Sequence, residues 1–214
     1  GHPRCAWCAA APQFLAYHDT EWGFPVADDR RLFEKLCLEG FQSGLSWRTI
    51  FDKRENFRAA FDGFDFERVA RFTAHDVERL LQDASIIRNR MKIEATINNA
   101  RIVRNLIAED QGSLDRLMWS FAPAAGRSRP ASFADVPAIT TESTAMSREL
   151  KRLGLKFVGP TTMYALMQSS GMVDDHIAGG LQLRGQRHAD RRHAGQRTGI
   201  LSELRTGAVL DGPD

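Results

Sequence analysis

An all-α fold is the class this sequence predicts, and three observations predict it. Apolar residues recur at helical spacing along most of the chain. Residues that start helices stand just ahead of those runs, among them Asp28, Asp29, Ser46, Thr73 and Pro160. Strict apolar–polar alternation, the mark of a half-buried strand, is scarce.

The elements follow in order. Asp28 or Asp29 caps a helix whose Leu32, Phe33, Leu36 and Cys37 share one face. Cys37 on that apolar face is a core residue. Ser46 caps the next helix, which is expected to run through Ile50, Phe51, Phe57 and Phe61. Thr73 with Asp76 three positions on resembles a capping box ahead of Val77, Leu80 and Leu81. A long helix is expected from about Arg90 to Ala108, and a short one over Leu114–Phe121. The stretch near 122–137 is rich in Pro, Ser and Gly and reads as loop. A further helix spans about Thr141 to Leu153 and stops at Gly154, a suitable residue just past a helix end. Pro160 fits the first turn of the last helix, through Tyr164 and Met167 to Gly171.

The bulk numbers set bounds. A chain of 214 residues suits one domain, or one domain with an extension, and 43% hydrophobic content supports a sizeable core. The formal net charge of +2 permits a nucleic-acid partner without requiring one. Three cysteines, an odd number, give no disulfide framework. No run of about 18 apolar residues suggests a membrane span, and no apolar signal region precedes the helices. A soluble, cytoplasmic setting is expected. After Gly180 the composition changes: Arg184, Arg187, Arg191, Arg192 and Arg197 lie among Gly, Gln and His. The expected organisation is a domain over 1–180 and a basic, flexible tail over 181–214.

Two segments carry parts for holding a planar polar ring. Tyr17-His18-Asp19-Thr20-Glu21-Trp22-Gly23 supplies aromatic faces. Leu38-Glu39-Gly40 and Ser43-Gly44-Leu45-Ser46-Trp47 supply a carboxylate in an apolar run and a Gly-Leu pair before a tryptophan. A third segment, Leu153-Gly154-Leu155-Lys156-Phe157-Val158-Gly159-Pro160-Thr161, joins two helices by a tight apolar hairpin. Free N–H groups at the start of the following helix suit an anion such as a phosphate, with Lys156 nearby, although an ordinary turn between helices would look similar.

Taken with Arg4-Cys5-Ala6-Trp7, Ile86-Ile87-Arg88-Asn89-Arg90-Met91-Lys92-Ile93, Trp119-Ser120-Phe121 and Val173-Asp174-Asp175-His176, these blocks resemble the 3-methyladenine DNA glycosylase I family, a divergent branch of the helix–hairpin–helix DNA glycosylases. The ordered matches run from about Arg4 to Gly180. The resemblance implies a monofunctional enzyme, expected to be a monomer, that flips 3-methyladenine out of double-stranded DNA and excises it with water. It implies that Trp47, Tyr17, Phe14 and Trp7 box the base, and that Glu39 reads its edge. Phe14 stands where the family often has tyrosine. Gly44 and Leu45 would enter the gap left by the flipped nucleotide. Lys156, Val158, Gly159 and Thr161 would meet the DNA backbone. Asp174 stands where this branch often has asparagine; it either assists the reaction electrostatically or caps a loop.

The resemblance also implies one structural zinc tying the N- and C-terminal regions together. Cys5, His18 and His176 match three of its four ligands, while the fourth expected position is Gly180. Cys8 or a tail histidine, His188 or His193, are candidate substitutes. Weak or partial occupancy is therefore expected. The alternative to an active glycosylase is a catalytically weak or inactive binder of alkylated DNA.

Overall fold

In the computed structural model, which describes residues 4–108, 113–124 and 128–177, the chain enters through a 3-10 turn at Ala6–Ala10 and α1, Pro12–Thr20. This first helix was not among the expected elements. Pro12 occupies its first turn, where a missing N–H costs nothing, and Phe14, Tyr17 and His18 point inward. The central helix, α2, spans Asp29–Gln42 and starts where Asp28 accepts from the Arg31 N–H at 2.8 Å. Leu32, Phe33, Leu36, Cys37 and Phe41 on α2 are buried.

The single helix expected from Ser46 to Phe61 is two: α3, Trp47–Asp52, and α4, Arg54–Ala60. Lys53 takes a non-helical backbone between them, and its ammonium donates to the Ser85 carbonyl at 2.9 Å. That anchor turns the chain so that Phe57 and Phe61 reach the core. A short α5, Phe66–Val69, precedes α6, Ala74–Gln82, where the Thr73–Asp76 capping box forms with the Thr73 N–H 2.9 Å from Asp76. The long α7, Arg90–Ala108, agrees with expectation, and α8 covers Leu114–Trp119. The last two helices, α9 (Thr141–Arg152) and α10 (Pro160–Ser169), pack against each other across the turn between them. Among the described residues there is no strand. No helix among them is long and apolar enough to cross a membrane.

One large apolar core joins α2 and α4 to α10, with Trp119, Phe33 and Tyr164 among its fully buried members. A smaller cluster of Cys8, Ala11 and Phe14 gathers beside it, and Trp47 packs against both. The segment after α1 is threaded between distant elements. Val26 donates from its backbone to the Ser170 carbonyl at 3.2 Å and accepts from the Trp119 indole at 2.8 Å. Gly171 has a positive φ of 71°, and a Cβ there would lie 2.6 Å from the Gly23 carbonyl oxygen. Only glycine permits that crossing.

Candidate functional site

A cavity of about 1220 Å³ opens between α1, the end of α2, the start of α3, α10 and the stretch 131–138. Of the expected site residues, Trp7, Phe14, Tyr17, Glu39, Trp47 and Thr161 all line it. Helical spacing explains the convergence. Phe14 and Tyr17 lie three apart on α1, so both face the same way. Trp47 opens α3 directly after its Ser46 cap, which accepts from the Thr49 N–H at 3.1 Å. The Tyr17 and Trp47 ring centroids are 5.9 Å apart at 35°, and Trp7 stands edge-on to Phe14 and Tyr17 at 6.1 and 6.3 Å. The rings make an aromatic wall with faces available to a planar ligand.

Glu39 faces this wall from α2 and is 5% exposed. Burial pushes its carboxyl up to about 7, against the Lys35 ammonium and a Ser169 hydroxyl that lies 3.4 Å from Oε1. Lys35, one helical turn before Glu39, is buried too and donates to Glu21 at 3.3 Å. Arg54 completes this layer, donating to the other Glu21 oxygen at 2.8 Å with its guanidinium 5.8 Å from the Tyr17 ring. Tyr17 is held neutral by its burial, and its pKa is raised. The site therefore presents the Glu39 carboxylate in apolar surroundings, with a buried ionic layer behind the tyrosine.

Several cavity residues were not anticipated. Gln42 lies one turn beyond Glu39 on the same face of α2, and Trp22 follows α1. Tyr164, Ala165 and Gln168 continue the face of α10 that begins at Thr161, a spacing visible in the sequence. Asp175 also lines the cavity, accepting from the Tyr164 hydroxyl at 2.5 Å and from Gln168 at 2.9 Å. The wall from Ala131 to Ala138 carries no motif that marks it.

Other expected residues take different places. Asp174 does not line the cavity. It accepts from Arg129 at 2.6 Å, from the His176 N–H at 3.2 Å and pairs with His176 Nδ1 at 2.9 Å. Burial alone would raise its carboxyl, yet His176 and Arg129 together hold it below its ordinary value. These partners hold Asp174 in the loop beside His176, outside the cavity lining. Val158 is 1% exposed, so its side chain belongs to the core and only its backbone is left for a ligand. Gly44 and Leu45 form an exposed turn between Gln42 and Trp47, two cavity residues; Gly44 has φ 79° and Leu45 is 41% exposed. Gly159 caps α10 and has open space where a Cβ would project, and Lys156 lies in the same turn.

Beside the cavity, Cys5, His18 and His176 come together. The two imidazoles are 5.2 Å apart, and the Cys5 N–H lies 3.4 Å from His18 Nε2. Each Nδ1 faces a carboxylate, Asp19 at 3.0 Å and Asp174 at 2.9 Å. His176 Nε2 is buried with no hydrogen-bond partner among the described residues. A carboxylate on Nδ1 with Nε2 left open, the arrangement zinc-binding histidines use, holds for His176, whereas His18 Nε2 accepts from the Cys5 N–H. Cysteine and histidine are donor types that zinc takes. The grouping is still short of a complete site: among the described residues no three of His, Cys, Asp and Glu are set to hold a metal. Cys8, also buried, lies one turn from Cys5. Gly180 and the 181–214 tail, with His188 and His193, lie outside the described residues.

Fold and site together define a helical protein whose aromatic-walled cavity can hold a flat ring beside the buried Glu39. The chain belongs to the methyladenine glycosylase family, whose sequence model matches residues 7–182. It is 46% identical over 177 residues to DNA-3-methyladenine glycosylase 1 of Escherichia coli (strain K12), covering 82% of this chain and 94% of that protein. It is 42% identical over 180 residues to the DNA-3-methyladenine glycosylase of Haemophilus influenzae, covering 81% of this chain and 94% of that one. Among solved structures, a crystal structure of 3-methyladenine DNA glycosylase I superposes with a TM-score of 0.80 at 46% identity, covering 84% of this chain and 98% of the other. The Staphylococcus aureus 3-methyladenine DNA glycosylase I, solved for the structural basis of 3-methyladenine recognition, gives 0.78 at 33% identity, with coverages of 85% and 98%.

Proposed function

We infer that the protein is a monofunctional DNA glycosylase that excises 3-methyladenine from alkylated double-stranded DNA. The observation that carries this reading is Glu39, a buried carboxylate facing an aromatic wall. Methylation at N3 gives the adenine ring a positive charge. Such a ring is attracted to electron-rich faces and to an anion in a dry site. Trp47 and Tyr17 supply the faces, with Phe14 and Trp7 closing the box. Glu39 accepts from the exocyclic amine edge and balances the charge.

The chemistry then needs little further help. The C1′–N9 bond breaks, its electron pair neutralises the cationic ring, and water adds to C1′ while its proton leaves to solvent. The base departs as neutral 3-methyladenine, so no strong general acid is required. The exposed Leu45 turn fits the vacancy left by the flipped nucleotide. The α10 N-terminus at Gly159, with Lys156 and the cavity-lining Thr161, suits a backbone phosphate in the manner of a helix–hairpin–helix element. Zinc, where bound, would be held by Cys5, His18 and His176 and would tie the N-terminal turn to the segment after α10.

The test is chromatography of bases released from methylated DNA. Release of 3-methyladenine with little 7-methylguanine is expected, because one acceptor at an amine edge favours adenine. Tight binding of alkylated DNA with no release would replace the enzyme by a non-catalytic binder.

A further inference from the structure

One buried cation in this fold has no part in the base pocket. Lys92, near the start of α7, is 8% exposed, and its ammonium donates to the carbonyls of Phe41 at 2.8 Å and Ser43 at 2.6 Å. Those carbonyls belong to the last turn and C-cap of α2, where backbone acceptors lack helical partners and a positive charge is favoured. The turn they lead into is Gly44–Leu45. Burial alone lowers the Lys92 pKa, and the hydrogen-bond partners of its ammonium among the described residues are carbonyls. Burying an ammonium is costly, and the two carbonyl hydrogen bonds offset part of that cost while tying α7 to the end of α2.

Asn99 stands seven residues further along α7, hence on the same face about 10 Å away. Its side chain grips the opposite structure, accepting from the Lys156 N–H at 2.8 Å and donating to the Lys156 carbonyl at 3.0 Å. Asn98 adds a bond to the Gly154 carbonyl at 3.0 Å. The hairpin is thereby fastened to α7 in a backbone shape it does not adopt freely, since Phe157 has φ 58°. Phe157 in turn touches α2: a Cβ on Gly40 would lie 3.3 Å from the Phe157 Cβ.

We propose that α7 is a spacer between the two DNA-facing turns, with Lys92 holding the Gly44–Leu45 turn and Asn99 holding the Lys156–Gly159 hairpin, which makes Lys92 a positioning residue for excision from duplex DNA. The proposal rests on the glycosylase reading for what the two turns meet. Its physical content is a fixed separation. A wedge and a phosphate clip must engage one duplex at once, and an error of about 1 Å in such placement can cost roughly a hundredfold in rate. Free base sees neither turn.

Lys92→Met tests this. It keeps the buried aliphatic stem and removes the two donors. Excision from methylated duplex is expected to fall about tenfold or more. Affinity for a duplex carrying a tetrahydrofuran abasic analogue should fall as well, and binding of free 3-methyladenine should stay within about twofold. Lys92→Arg, which restores donors to both carbonyls, should recover most of the loss. If Lys92→Met does not fold, Asn99→Ala carries the same comparison from the other end of the spacer. Parallel losses in free-base and duplex binding, or unchanged excision in a folded variant, overturn the proposal. A wild-type protein that releases no base defeats the glycosylase reading instead, and the abasic-duplex comparison still decides the role of Lys92.

Discussion

At the scale of single residues, Glu39 decides most. Its carboxyl has an ordinary value of 4.5 and is pushed up to about 7 by burial in the fold. The unfolded chain therefore gives up this proton first, and ionising Glu39 costs stability as pH rises between those values. Above about pH 7 the cost is fully present, at most about 3 kcal/mol. Glu39→Gln has no such proton to lose. Its melting temperature, measured from pH 5 to 8, should gain steadily on wild type; parallel curves would mean that Glu39 ionises freely in the fold. The same variant should lose tenfold or more in excision, as expected for a charge-assisted hydrogen bond of roughly 1.5–3 kcal/mol. Trp47 is the second test. Trp47→Ala should weaken free 3-methyladenine binding by about 1–2 kcal/mol and remove most of the tryptophan quenching that the base produces. Full quenching in the variant would shift the stacking role to Trp7 or Trp22.

At the scale of elements, the α10 N-terminus gives a clean experiment. Gly159 has an ordinary φ of −64°, and a Cβ there meets nothing within 4 Å. Gly159→Val should therefore fold and melt as wild type, yet weaken binding to damaged and undamaged duplexes alike, because phosphate contacts do not read sequence. A loss confined to damaged DNA would place this turn in the base pocket. Much of this scale was legible in the sequence, because capping residues and helical periodicity are local signals. Thr73–Asp76, Asp28 and Gly154 mark ends where helices do end. The break between α3 and α4 was not legible, because what accompanies it, the Lys53 bond to Ser85 and the burial of Phe57 and Phe61, is set by tertiary structure. The aromatic box and Glu39 could be read from motifs. The sequence left Asp174 two roles, because its partners, Arg129 and His176, are set by tertiary structure. Asp175, one residue on, takes the cavity position.

At the scale of the whole molecule, the cavity depends on segments far apart in the chain being held together. Cys5, His18 and His176 span nearly the whole described length. If zinc binds there without a ligand at position 180, elemental analysis should find partial occupancy that mild chelation removes. One tightly held ion that is lost in Cys8→Ser would identify Cys8 as the missing thiolate. The backbone crossing at Gly23 and Gly171 does a related job without metal. There Val26 sits in the middle, its amide bonded to Ser170 and its carbonyl to Trp119. The Val26 amide therefore reports on that crossing. Its proton is expected to exchange with solvent when the 21–28 segment, whose Trp22 lines the cavity, separates from the end of α10. Occupying the cavity should slow that single exchange event, although Val26 itself does not line the cavity.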